Sequence, residues 1–415
     1  MNNKIKIIAG ILAAAVLISA VAVVSSLAKP KPRVPRLITG TTEAWEETAP
    51  GTTDSPEADG NDDYISFAQK LVGQMDDEEN WFISPHSIYT ALLMAANGAG
   101  GETKAQLLDA LGVKDIKWAN EYAAIFREKV KTNDKIILET ADSLWLNTDA
   151  MNGIEFSDSY KKLCADIFDA AVEEVTAADA VAKVNAWVSE KTHGRIKNLI
   201  SDNGFGAALV DTIYLKADWE KEFDKSNTYK QVFHSKNGDE KEIDFMHQTE
   251  TFEYAENSDA RIAVLPYKGG AVSMLLILGE YEGDVEKLIS EAEYSDTLLY
   301  LALPKISSES SFNLNEVMEK LGAADCFDPS KADFSPMVTA GNMYIEKILH
   351  KANVDVDEKG TEAAAATAII LRVTAVFDPE PEKPVDFICD KPFTYLIRDN
   401  ETGEILFIGR YNNAE

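Results

Sequence analysis

The sequence predicts an α+β protein, with helices crowding the first half of the chain and strands of large antiparallel sheets crowding the second. Three observations predict it. Up to Lys191 most segments repeat apolar residues at spacings of three and four, whereas after it alternation and apolar runs take over. Asn237-Gly238 and Gly269-Gly270 each separate two such runs, and these residues tolerate the positive φ of tight hairpins. Finally, 415 residues at 45% hydrophobic content can bury a large core.

The elements follow in order. Tyr64 to Met75 and Ser84 to Ala96 read as helices, the second capped by Ser84 with Pro85 in its first turn. Gly98-Ala99-Gly100-Gly101 is a turn and not a phosphate loop, because neither G-x-G-x-x-G nor a G-K-[ST] ending follows. Glu102 to Leu111 and Trp118 to Lys129 read as helices, and Ile136 to Leu146 alternates as a strand. Ser157 to Cys164 and Val181 to Lys191 are helical, the latter stopping at His193-Gly194. Ala207 to Leu215 is a near-continuous apolar run suited to a buried central strand. Val232 to Phe245 forms one hairpin, and Ile262 to Tyr267 with Ala271 to Leu278 forms another. Thr297 to Lys305 is a strand, Leu314 to Leu321 a helix, and Met343 to Asp355 a long alternating strand.

Ahead of this domain the chain changes character. Residues 1–28 carry Lys4 and Lys6 before an uncharged apolar run from Ile7 to Ala28, long enough to span a bilayer. The run is expected to be a signal peptide, with Ser26-Leu27-Ala28 as its cleavage site, or an N-terminal membrane anchor. Residues 29–61 are rich in Pro, Thr and acids and read as a flexible linker, leaving one domain at 62–415. These features predict a bacterial protein that is secreted or held at the cell surface, touching membrane only through its N-terminal segment.

Composition narrows the chemistry. A net charge of −30 argues against nucleic acid, which needs clustered cations. The basic cluster Arg127, Lys129, Lys131 and Lys135 is interleaved with Glu128 and Asp134 and reads as a solvated helix end. Cys164, Cys326 and Cys389 form no C-x-x-C pair and read as core thiols. The five histidines show no close ligand spacing, so neither a metal nor a cofactor is expected. Without G-x-S-x-G or a comparable constellation, the chain does not read as an enzyme.

The most informative stretch runs Glu358-Lys359-Gly360-Thr361-Glu362-Ala363-Ala364-Ala365-Ala366-Thr367. Its alanines favour helix, yet its alternation favours a strand. Thr361, Ala363, Ala365, Thr367, Ile369, Leu371 and Val373 form one parity, small and then apolar, while Glu362 and Arg372 sit on the other. A segment able to live outside a sheet and also to enter one stores a conformational change.

This stretch resembles the hinge of the serpin family, the protease inhibitors that trap their targets by loop insertion. Other segments resemble the family in the same order. Asn80-Trp81-Phe82-Ile83-Ser84-Pro85-His86-Ser87-Ile88 is similar to its early N-x-x-x-S-P-x-S-I signature, and Leu209 to Trp219 to its central strand ending in tryptophan. Asp386 to Phe393 and Ile405 to Arg410 resemble its last strands. The resemblance implies three mostly antiparallel sheets, a cluster of about eight to nine helices and an exposed reactive-centre loop from Gly360 to Pro384.

The function so implied is irreversible, suicide-substrate inhibition of a serine protease: loop cleavage, trapping as an acyl-enzyme, and insertion into the main sheet. The alternative is a non-inhibitory serpin serving as a surface binding or carrier protein, but Glu358, Gly360, Thr361, Glu362, Ala363, Ala364, Ala365, Ala366 and Thr367 carry no bulky, charged or proline hinge residue on the inserting parity. The implied partner is the target protease, bound covalently by a monomer. Counting as the family does, the reactive bond joins Thr374 to Ala375, a small β-branched bait for elastase-like or subtilisin-like pockets; Arg372, Val373, Val376 and Phe377 are the alternatives. Lys305 and Glu358 match a pair that holds the loop out at the top of the sheet, with Trp219 beneath. Ser84, Ser87 and His350 match a polar group under the parting strands, where Asp211 replaces the family's usual asparagine and can accept from His350.

Overall fold

Eight α-helices and two hydrogen-bonded sheets make up the described residues (56–76, 78–129, 136–279, 284–361 and 383–414) of a computed structural model. The helices are α1 (Pro56–Val72), α2 (Pro85–Asn97), α3 (Gly101–Leu111), α4 (Ile116–Lys129), α5 (Asp158–Phe168), α6 (Ala180–Lys191), α7 (Val285–Ser290) and α8 (Asn315–Lys320). At the start of α2 the Ser84 hydroxyl accepts from the Ser87 amide, and Pro85 opens the helix, as the sequence predicts. Every residue of α2 from Pro85 to Ala96 is buried, so this helix runs through the core.

The six-stranded sheet has the order β10 (Ile306–Asn313), β11 (Lys347–Val356), β12 (Gly360–Thr361), β4 (Ala207–Asp218), β2 (Ile136–Asn147), β3 (Ala171–Val175). β4 is buried on both faces, which is why its sequence reads as nearly unbroken apolar residues. Leu209, Ile213, Leu215 and Ala217 face the main core, while Ala208 and Val210 join a smaller core with Val184 and Val188 of α6.

The larger sheet has nine strands, in the order β1 (Trp81–Ile83), β15 (Ile405–Tyr411), β14 (Phe393–Asp399), β8 (Val272–Gly279), β7 (Ala260–Pro266), β6 (Glu240–Glu256), β9 (Ser295–Pro304), β13 (Val385–Ile388), with β5 (Thr228–His234) also on β6. Two of the three expected sheets are continuous here, because β6 pairs with β5 and β9 along most of its length and with β7 at its end. Three strand pairs are parallel, β2 with β3, β4 with β11 and β9 with β13; all other named ladders are antiparallel.

Several boundaries differ from the sequence reading for identifiable reasons. The strand expected from Met343 begins at Lys347, because Ile345 and Glu346 donate instead to the carbonyls of Cys326 and Ala207. The expected exposed loop from Gly360 is also corrected. Gly360 and Thr361 are buried as β12, since a strand edge on each side offers them ladder partners. The reactive-bond candidates Arg372, Val373, Thr374, Ala375, Val376 and Phe377, and the hinge residues Glu362 to Thr367, lie outside the described residues, as do residues 1–55.

Candidate functional site

The site is a slot between β4 and β11. At one end these strands pair directly and in parallel, Ala208–Thr212 against Lys347–Lys351. At the other end β12 stands between them, with Thr361 opposite Val356 on one side and Ala217 on the other. Between these ends, among the described residues, no ladder pair joins Ile213–Lys216 to Ala352–Asp355. Each edge is secured only from behind, by β2 and β10. Such an edge is a template for an added strand.

The wedge end is held from above. The Lys305 ammonium lies 3.1 Å from the Glu358 carboxylate, and the Thr228 hydroxyl donates to the same carboxylate at 2.8 Å. Burial pushes the Glu358 carboxyl up, but its own amide, Thr228 and Lys305 outweigh that and hold it below the usual range. The Trp219 amide donates to the Lys359 carbonyl at 2.7 Å, and its indole N–H to that of Asp357 at 3.0 Å. Its ring stacks on Tyr267 at 4.4 Å, and the Tyr267 and Thr361 hydroxyls are bonded at 2.6 Å. Lys305, Trp219 and Glu358 therefore converge on the hinge while two hinge residues already occupy the sheet. Because a Cβ on Gly360 would collide with the Ala217 carbonyl and stand 2.7 Å from Asp218 Cα, Gly360→Ala is expected to expel β12. Limited proteolysis of the intact protein should then show faster cutting within the hinge.

The paired end carries a buried latch. His350 is opposite Asp211 across the parting strands, and its Nδ1 lies 2.6 Å from Asp211 Oδ2. The Ser84 amide donates to His350 Nε2 at 3.2 Å, so Nδ1 carries the ring's proton and donates to the carboxylate. The Ser87 hydroxyl donates to Asp211 Oδ1. The N-terminus of α2 thus faces the Asp211 carboxylate, a placement that suits negative charge. The structure brings Ser84, Ser87, Asp211 and His350 into one cluster, separated from the wedge by the six residue steps from Asp211 to Ala217, or roughly 20 Å of strand.

Two contributors escape the sequence reading. Tyr267 sits in the turn beyond β7, with nothing local to mark it. Asp142, 2% exposed on β2 and directly opposite Asp211, carries a faint signal: each of these core strands has one aspartate in mid-run.

With this geometry in place, comparison with known proteins is direct. The family model described as Serpin (serine protease inhibitor) matches residues 62–414. An uncharacterized serpin-like protein of Thermococcus kodakarensis is 35% identical over 357 residues, covering 81% of each chain. Human Serpin B8 is 32% identical over 367 residues, 83% of this chain and 96% of the relative. Among solved structures, the native state of the thermophilic serpin tengpin superposes with a TM-score of 0.76 at 30% identity, covering 88% of this chain and 96% of that one. The protein belongs to the serpin family, whose members are typically protease inhibitors.

Proposed function

We propose that the chain is an irreversible suicide-substrate inhibitor of serine proteases, and not an enzyme. The observation that carries this reading is the slot already entered by β12. Continuing the β12 register places Ala363, Ala365, Thr367, Ile369 and Leu371 opposite Leu215, Ile213, Asp211, Leu209 and Ala207, on the main-core face. Small residues would enter first and apolar ones would follow into the densest part of the core. The same register brings Thr367 opposite His350 on β11, so insertion must break the latch. A protease cutting at Thr374-Ala375 would be carried down the sheet through its acyl bond.

The test is incubation of the intact protein with elastase and with trypsin, followed by a denaturing gel and mass spectrometry of the freed C-terminal peptide. An adduct with elastase is expected, with a new N-terminus at Ala375. Thr374→Arg should move adduct formation to trypsin; if it does not, the reactive bond lies elsewhere in the loop. With residues 1–28 acting as signal or anchor and 29–61 as tether, we place this activity outside the cell, secreted or at its surface, in a monomeric inhibitor that reaches membrane only through that segment.

A further inference from the structure

One row across the six-stranded sheet reads Asp142, Asp211, His350, each opposite the next on β2, β4 and β11. Directly opposed residues share a face, with Cβ atoms about 5 Å apart. All three are buried. Burial pushes the Asp211 carboxyl up, with His350 opposing the shift, but both of its oxygens accept, one from His350 and one from Ser87, which is the pattern of an ionised carboxylate. His350 accepts at Nε2 and so brings no full positive charge. Asp142 Oδ1 is buried with no hydrogen-bond partner.

The other ionisable groups around the pair do not offset a second negative charge. On α5, burial pushes the Cys164 thiol up to about 12, and the Tyr160 phenol is also raised by burial. His86 on α2 lies within electrostatic reach of Asp211 but is itself 2.6 Å from Glu404. Lys351, next to His350, reaches away to Glu309 at 2.6 Å. Two buried carboxylates without a cation between them cannot both ionise cheaply.

We propose that Asp142 is a positioning residue of the latch: it stays protonated beside the charged Asp211, and release of that proton to solvent at high pH loosens β4 and lets the sheet open. Burial and then the Asp211 charge hold the Asp142 carboxyl well above its usual range. A carboxyl so raised stabilises the folded state fully below the ordinary aspartate range. That stability is lost as pH rises through the raised value, by up to about tenfold in the folding equilibrium per pH unit for one proton. Glu358, held low, has the opposite sign and weakens the wedge as pH falls. The intact form is therefore squeezed from both sides. The consequence for trapping rests on the inhibitory reading, whereas the proton kept on Asp142 does not.

The test uses the intact full chain without protease. Thermal midpoints are measured from about pH 5 to about pH 9 for the parent and for Asp142→Asn, which keeps the side chain's shape but has no second carboxyl to ionise. The parent midpoint should fall toward alkaline pH, and the variant should lose most of that slope and melt higher than the parent at the alkaline end. Any slope left belongs to groups such as Glu286, whose carboxyl burial raises to about 7. Equal slopes, or a variant destabilised uniformly at every pH, would overturn the proposal. If the variant does not fold, infrared spectra of the parent taken from about pH 5 to about pH 9 decide the matter. Above the ordinary aspartate range they should show a buried protonated carboxyl in addition to that of Glu286, and its absence overturns the proposal. Neither measurement involves inhibition, so a protein that proves non-inhibitory leaves both standing, and their failure leaves the trapping experiment untouched.

Discussion

Thr361→Arg is expected to abolish the covalent protease adduct while leaving cleavage of the loop intact. Thr361 is 3% exposed, its hydroxyl is bonded to Tyr267, and its backbone is paired on both sides. Its side chain shares a face with Ala217, which belongs to the main core. An arginine there would have to bury an unpaired guanidinium beside Tyr267 and Trp219, at a cost of several kcal/mol. On the proposed mechanism trapping is a race between insertion and deacylation, so raising the insertion barrier by about 3 kcal/mol would shift the partition roughly a hundredfold toward hydrolysis. The protease would turn the variant over as a substrate. The number of inhibitor molecules consumed per protease, read with the adduct band on a denaturing gel, measures the change directly. A variant that still forms a stable adduct at the parental stoichiometry would falsify the insertion account. The same substitution should also free β12 in the intact protein, which hinge proteolysis would report separately.

The legible parts of this fold are those whose signal is local. α2 announces itself through Ser84 and Pro85, and β4 through its apolar run, because cap geometry and two-sided burial leave marks within a few residues. β10 is not legible: Ile306-Ser307-Ser308-Glu309-Ser310-Ser311-Phe312 has apolar residues only at its two ends and no element is assigned to it, yet Ile306 to Asn313 pair along β11, and the buried Ser310 hydroxyl accepts from the Phe82 amide. β12 has only two residues and exists because two long strands present open edges to it, a fact of tertiary structure alone. The site divides in the same way. Ser84, Ser87, Lys305, Asp211, Trp219 and His350 could be named from a family resemblance, but not their convergence, since Ser84 and His350 are 266 positions apart. Asp142 and Tyr267 needed the folded neighbours to become visible. Propensity and period describe a residue's own element; the chemistry of this slot belongs to what faces it.

The second large effect distinguishes the two states of the molecule. His350→Ala is expected to destabilise the intact protein and to leave the loop-cleaved, inserted form nearly unchanged. In the intact form His350 is fully buried and bonded both to Asp211 and to the Ser84 amide. Its removal leaves the buried carboxylate with Ser87 alone and strands an amide donor, and breaking a buried pair in this way costs about 3 kcal/mol or more. For a domain of this size that corresponds to a lowering of the melting midpoint by about 4 °C or more. On the proposed insertion, β4 and β11 would no longer be neighbours. The register extended from Thr361 opposite Ala217 and Val356 would set Thr367 between Asp211 and His350 on that insertion, so a threonine hydroxyl would donate to the carboxylate in place of the imidazole. There the variant forfeits packing around the ring but keeps Asp211 satisfied. Calorimetry on intact and cleaved samples of parent and variant, at one pH, gives the four midpoints required. A loss confined to the intact pair supports a latch that opens on insertion. Equal losses in both forms would mean that His350 is ordinary core and that the strands part somewhere else.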